Sequence, residues 1–217
     1  MELPERVAGV VLAGGRSSRM GGGDKCLLPL AGISLLARVI ERLRPQAGDL
    51  AINANGEHAR FASFGLPVIA DSIAGHAGPL AGVHAGLEWA KADVPGASHV
   101  VTVAGDTPFF PTDLVQRFLA ALAQDSGRIC VARSKEGVHP VFGLWPVAMA
   151  GEIETSLRQG ARKVSAWVAH HSAIEVFFPP VMIGGRPIDP FFNINRPEDL
   201  AEAEALLGPQ SVETFKG

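Results

Sequence analysis

The run Val7 to Ala13, "VAGVVLA", is continuously apolar, rich in β-branched residues and ended by glycines. A segment of that kind with no polar face reads as a strand covered on both sides, the mark of a parallel strand in an α/β sheet. Such a strand needs helices above and below it, and the following sequence supplies them. Ser34 is placed to cap a helix with Leu35, Leu36, Val39, Ile40 and Leu43 on one side and Pro45 just past its end. "DLAIN" (Asp49 to Asn53) and "PVIAD" (Pro67 to Asp71) predict two further strands, separated by a short helical "EHARFASF". A helix opens near Pro79 and runs to Lys91, since proline fits a first helical turn. "SHVVTVAGD" predicts a fourth strand with its acidic end at Asp106, and Thr112 is placed to cap a helix through Leu122. "HPVFGLW" and the Pro- and Gly-rich stretch Pro179 to Pro190 are less regular, and "RPEDLAEAEALL" reads as a closing amphipathic helix.

This alternation predicts an α/β fold in three layers around a mostly parallel sheet. Ligands of such sheets bind beyond the carboxyl ends of the strands, so Gly14, Asn53, Asp71 and Asp106 are expected to converge on one edge. With 217 residues, 47% hydrophobic and 19% charged, the chain is expected to be one globular domain, 1–217. A net charge of −3 gives no overall reason to bind nucleic acid or an anionic membrane surface. Cys26 and Cys130 are too few for a disulfide framework or a four-ligand zinc site, which points to a reducing compartment. The acidic start "MELPER" lacks a basic region before its apolar run, and no apolar stretch reaches transmembrane length. A cytosolic protein with neither nucleic acid nor membrane as partner is expected.

Between the first strand and the first helix lies "LAGGRSSRMGGGDK", Leu12 to Lys25. A P-loop needs glycine before its lysine and Ser or Thr after it; here Asp24 precedes Lys25 and Cys26 follows. The dinucleotide fingerprint fails as well, because no register of the glycines runs Gly-x-Gly-x-x-Gly into a helix. What remains is a glycine-rich loop whose N–H groups can approach phosphates closely, with Arg16, Arg19 and Lys25 adding positive charge. That combination suits a triphosphate and a reaction that releases pyrophosphate. On glycine content alone, a surface loop with scattered basic residues competes with it evenly.

The same stretch resembles the signature of the molybdenum cofactor guanylyltransferases, Leu-Ala-Gly-Gly-x-Ser-x-Arg-Met-Gly-Gly-x-Asp-Lys, and more loosely that of the wider nucleotidyltransferases. Further matches follow in order: "GPLAG" (Gly78 to Gly82), "GDTPF" (Gly105 to Phe109), "HPVFGLW" (His139 to Trp145) and "FFNINRPEDL" (Phe191 to Leu200). Gly105 stands where relatives often carry cysteine, and Arg196 where threonine often precedes the proline. The resemblance implies a Rossmann-like nucleotidyltransferase fold, with the N-terminal half binding GTP and the C-terminal half binding molybdopterin. The implied activity is transfer of GMP from GTP to molybdopterin with release of pyrophosphate.

It further implies that Leu12, Ala13, Gly14 and Gly15 line the nucleotide and that Asn53 and Asp71 contact the nucleoside. A carboxylate can accept from guanine N1–H and its exocyclic amine or from ribose hydroxyls, and both options stay open. Taken without the resemblance, Asn53 reads as a turn or cap residue and Asp71 as a helix cap. Lys25 is expected to act as a point charge on the triphosphate with Arg19 as helper, and Asp106 as the ligand of Mg²⁺, an ion that takes one or two carboxylates plus phosphate oxygens and water. The competing reading of Asp106 is an Asx-turn before Pro108. Asp24 is either a second ligand or, preferred here, a partner of Arg19. His139, Asn193 and Asn195 are implied at the molybdopterin, although His139 also reads as a loop residue and Phe142, Trp145, Phe191 and Phe192 read as core. His76, His84, His99, His170 and His171 lack metal-ligand spacing and receive no role. A delivery role implies transient contact with molybdoenzymes and cofactor-assembly proteins. The rival readings are a cytidylyltransferase of the same cofactor, a sugar-phosphate nucleotidyltransferase, and an inert nucleotide-binding delivery protein.

Overall fold

The first apolar run forms β1 (Arg6–Leu12), which lies inside a seven-stranded sheet with a strand on either side. The computed structural model describes residues 6–14, 24–71, 73, 78–122 and 126–208. After β1 come a small ribbon, β2 (Pro29–Leu30) and β3 (Ile33–Ser34), then α1 (Leu35–Leu43) and β4 (Leu50–Asn53). A 3-10 segment, His58–Phe64, leads to β5 (Val68–Ile69), α2 (Pro79–Asp93), β6 (Ala97–Ala104) and α3 (Leu114–Leu122). The second half comprises β7 (Cys130–Ser134), β8 (Gly137–Pro146), α4 (Ala150–Arg158), α5 (Val164–His170), β9 (Ile174–Phe177), the hairpin β10 (Val181–Ile183) and β11 (Arg186–Ile188), and α6 (Pro197–Leu207).

The large sheet has the order β5-β4-β1-β6-β8-β7-β9. Every neighbouring pair is parallel except those made by β8, which runs antiparallel to both β6 and β7. The reversal follows from the tight turn after β7, where Ser134 pairs with Gly137 and only Lys135 and Glu136 lie between. "HPVFGLW", expected to be irregular, therefore lies within a ten-residue strand.

Alternate residues of β1 enter opposite cores, as the pleat demands. Val7 and Val11 pack with Leu36, Val39, Leu43 and Phe118 of α1 and α3, whereas Ala8 and Val10 pack with Leu80, Val83 and Leu87 of α2 and, beyond them, Ile153 and Trp167 of α4 and α5. These are the three expected layers. Trp145 is fully buried and its indole N–H is satisfied: Nε1 donates to Thr102 Oγ1 at 2.9 Å, and that hydroxyl donates to Val141 O at 2.6 Å.

Ser34 caps α1 as expected, accepting from Ala37 N at 3.2 Å. For α3 the expectation changes. The helix starts at Leu114, beyond Thr112, and the first-turn N–H of Val115 donates to Gln46 Oε1 at 3.2 Å. Gln46 is buried and held by its own amide, which donates to Arg42 O and Pro111 O. A distant side chain does the work that Thr112 was expected to do.

A third, smaller core joins Leu30 of β2, Leu35 of α1, Phe109 after β6, Ile194, and Ala203 of α6. The β10–β11 turn rests on the end of α6, where Gly184, with φ +56°, lies so close to Leu206 O that a Cβ would overlap it.

Candidate active site

The register of the sheet builds the site. Leu12 is level with Asn53 on one side and Ala104 on the other, and Asn53 is level with Ile69, so β1, β4, β5 and β6 end together. Ala13 N donates to Asn53 O at 2.9 Å and Gly105 N to Leu12 O at 3.0 Å, which holds the emerging chains side by side. Leu12, Ala13, Gly14, Asn53, Asp71 and Asp106 thus share one edge, as expected. Because β8 is reversed, its start reaches the same edge and carries His139 there. Gly15 and Arg19, like Arg16 and His76, lie outside the described residues.

Lys25 opens a short 3-10 turn, Lys25–Leu27, and its amine forms an ion pair with Asp106 Oδ2. The same Nζ donates to Asn195 Oδ1 and lies 3.5 Å from Asn193 Oδ1. Asp106 Oδ1 accepts from the Thr107 hydroxyl at 3.2 Å. The Lys25 and Asp106 side chains are 16% and 19% exposed, so the pair is partly desolvated yet still reachable from the cleft. Backbone contacts join the two halves of the chain here: Ile194 N donates to Asp106 O at 3.0 Å. Asp199, in the first turn of α6, accepts from Asn195 N at 2.8 Å and Arg196 N at 2.9 Å. The first turn of a helix favours such a carboxylate.

At the other end of the edge, Asn53 is buried and donates from Nδ2 to Ile69 O at 3.2 Å and to Asp71 Oδ1 at 3.1 Å. Its Oδ1 faces Gly82 of α2 so closely that a Cβ there would overlap it. Asn55 engages Asp71 twice, donating from Nδ2 to Oδ2 at 2.7 Å and accepting from Asp71 N at 2.9 Å.

Asp24 pairs with Arg60, a cation that sequence reasoning did not single out. Asp24 was expected as a second metal ligand or as a partner of Arg19; Arg19 lies outside the described residues, and among the described residues Arg60 engages the Asp24 carboxylate. Arg60 also donates to Asn55 O at 2.7 Å and to Glu57 O, and lies over the Phe61 ring at 4.5 Å. The one signal available for Arg60 and Asn55 was their place in the connection that leaves β4 at the ligand edge.

His139 sits on β8 rather than in a loop, level with Ala132. Its Nε2 is 2.8 Å from Ser134 Oγ and 4.0 Å from Asp189 Oδ1, and its ring packs on Phe191 at 4.5 Å. Burial pushes its pKa below the ordinary histidine value, against the opposing pull of Asp189 and Glu136. Phe142, Trp145 and Phe191 are core residues, as expected. Cys26 is buried beneath the site, and burial, then Asp24 and Asp106, push its thiol up to about 12.

Among the described residues no group of three or more His, Cys, Asp or Glu could hold a metal by itself. Asp106 offers one carboxylate, a donor set that fits a hard cation arriving with a polyphosphate that completes its shell. No helix of the described residues is long and apolar enough to cross a membrane.

Comparison with known proteins agrees with this geometry. The MobA-like NTP transferase domain matches residues 9–174. The molybdenum cofactor guanylyltransferase of Mesorhizobium japonicum is 51% identical over 202 residues, covering 93% of this chain and 96% of its own length. The protein of the same name from Bradyrhizobium sp. is 47% identical over 201 residues, covering 92% of each. Molybdopterin-guanine dinucleotide biosynthesis protein A from Archaeoglobus fulgidus superposes with a TM-score of 0.69 at 23% identity, covering 92% of this chain and 97% of that one, a likeness of fold. With the fold, the order of motifs and these relatives in agreement, the chain belongs to the MobA-like NTP transferase domain family.

Proposed function

We propose that the chain transfers GMP from GTP to molybdopterin, giving the guanine dinucleotide form of the cofactor and pyrophosphate. The observation that carries the reading is the ion pair of Lys25 with Asp106, set between Asn53 and Asp71 on one side and Asn193 and Asn195 on the other. The close relatives named molybdenum cofactor guanylyltransferase support the choice of substrates.

Asn53 and Asp71 hold the nucleoside, with Leu12, Ala13 and Gly14 lining it through the backbone. Lys25 turns part of its charge from Asp106 to the triphosphate and stabilises the negative charge that grows at the α-phosphorus. Asp106 holds Mg²⁺, which when bound neutralises phosphate oxygens. The terminal phosphate of molybdopterin, held by Asn193, Asn195 and His139, attacks the α-phosphorus; one P–O bond forms, the α–β bridge breaks and pyrophosphate leaves. No protein nucleophile is required, and the side chains act by positioning and charge stabilisation.

Purified protein with GTP, Mg²⁺ and molybdopterin is expected to release pyrophosphate. Turnover with CTP but not GTP overturns the base assignment, turnover with a hexose phosphate in place of molybdopterin overturns the acceptor, and tight GTP binding without turnover overturns catalysis.

A further inference from the structure

We infer that Asn55 and Arg60 are positioning residues that fix the nucleoside carboxylate and the triphosphate turn relative to one another. The inference rests on the functional reading above and deepens it by naming what aims Asp71 and what restrains Asp24.

Asn55 grips one residue at two points. Its Oδ1 accepts the Asp71 N–H at 2.9 Å and its Nδ2 donates to Asp71 Oδ2 at 2.7 Å. Asn53 Nδ2 takes the other oxygen, Oδ1, at 3.1 Å. A carboxylate with an amide N–H on each oxygen has its plane set, and each oxygen keeps acceptor capacity for a ligand. Both asparagines flank Ala54, whose N–H donates to Ile69 O at 3.0 Å, so the grip spans the ends of β4 and β5. The orientation exists before substrate arrives, which removes an ordering cost from binding.

Arg60 extends that grip toward the phosphates. Its Nη2 donates to Asn55 O at 2.7 Å, Nη1 donates to Glu57 O, and Nε faces the Asp24 carboxylate. The guanidinium lies over Phe61, which is fully buried. A planar guanidinium makes both Nη hydrogen bonds while its Nε edge faces Asp24 as an ion pair; a lysine ammonium supplies only the charge. Asp24 immediately precedes Lys25, and its carbonyl starts the turn by accepting Leu27 N at 2.9 Å. Arg60 therefore neutralises a carboxylate that would otherwise compete for the Lys25 amine and repel a triphosphate.

The two ends are separable with two ligands, GTP and Mg-pyrophosphate, the second lacking a nucleoside. Asn55→Ala is expected to raise the GTP KM about tenfold, the loss typical of a hydrogen bond to a charged group, with kcat near wild type and pyrophosphate inhibition unchanged. Asn55→Asp, which sets two carboxylates against each other, is expected to raise it further. Arg60→Gln is expected to weaken both ligands, and Arg60→Lys to restore pyrophosphate but not GTP, a split that a loss of folding alone does not produce. A GTP KM for Asn55→Ala within twofold of wild type overturns the inference, as does Arg60→Lys restoring both ligands alike. A wild type that uses CTP and not GTP overturns the base assignment above, whereas the same variant pattern read with CTP supports the positioning role. A chain that binds no triphosphate overturns both.

Discussion

Lys25 and Asn195, 170 residues apart in sequence, meet at a single amine, which donates to the Asn195 amide oxygen while it pairs with Asp106. The contact joins the strand-end turn of the first half to the start of α6. With Asp106→Ala, kcat at saturating GTP is expected to fall on the order of 10² or more, the loss typical of a group that stabilises transition-state charge. Lys25→Met is expected to cost a similar factor. Retained turnover in the aspartate variant removes Asp106 from the chemistry.

Gly82→Ala tests the nucleoside end. The new methyl group overlaps Asn53 Oδ1 and comes within 3.0 Å of Leu12 Cδ2. Overpacking of this kind costs about 1–3 kcal/mol, against a gain in helix propensity of about 1 kcal/mol, so a net loss of stability is expected. The Asn53 amide must turn away from Asp71, and the GTP KM is expected to rise. Thermal melting and steady-state kinetics on the same sample check both.

Thr102→Val separates stability from activity. The substitution keeps shape but strands the Trp145 indole N–H in the core and takes the hydroxyl donor from the partly buried Val141 carbonyl. Stranding buried polar groups costs roughly 1–3 kcal/mol, readable as a lower urea midpoint. Turnover is expected to stay within about twofold of wild type, and Thr102→Ser is expected to restore the midpoint.

The thiols predict an alkaline response. Burial raises both Cys26 and Cys130 from 9.0 to about 12. The folded chain therefore keeps two protons that the unfolded chain releases above pH 9.0, and stability is expected to fall between there and about 12. Below that window the contribution is fully present. Iodoacetamide at about pH 8 is expected to label neither thiol until the chain unfolds, because the thiolate is the reactive form.

Most of the sheet edge was legible because its signals are local. An apolar run ending in glycine, a serine before a periodic helix and strands closing on Asn53, Asp71 and Asp106 each lie within a few residues of what they specify. Three features were not legible, each for a physical reason. The reversal of β8 depends on a two-residue turn, Lys135–Glu136, that lacks the usual Asn-Gly chemistry. The cap on α3 comes from Gln46, 69 residues away from the N–H it accepts, and no local pattern encodes it. Arg60 reaches Asp24 from the connection after β4, a pairing between segments distant in sequence that no local pattern encodes.

The small cluster of Leu30, Phe109, Ile194 and Ala203 has a consequence for how such a chain can drift. Each of three polar groups, Lys25, Asp106 and Asn195, sits a short distance along the backbone from one member of that cluster. A bulkier side chain at Ala203 would shift all three anchors in concert, so the inner face of the last helix is constrained by chemistry that occurs far from it. A chain that stopped before Ala203 would retain Lys25, Asp106 and Asn195 in its sequence and lose the spacing among them.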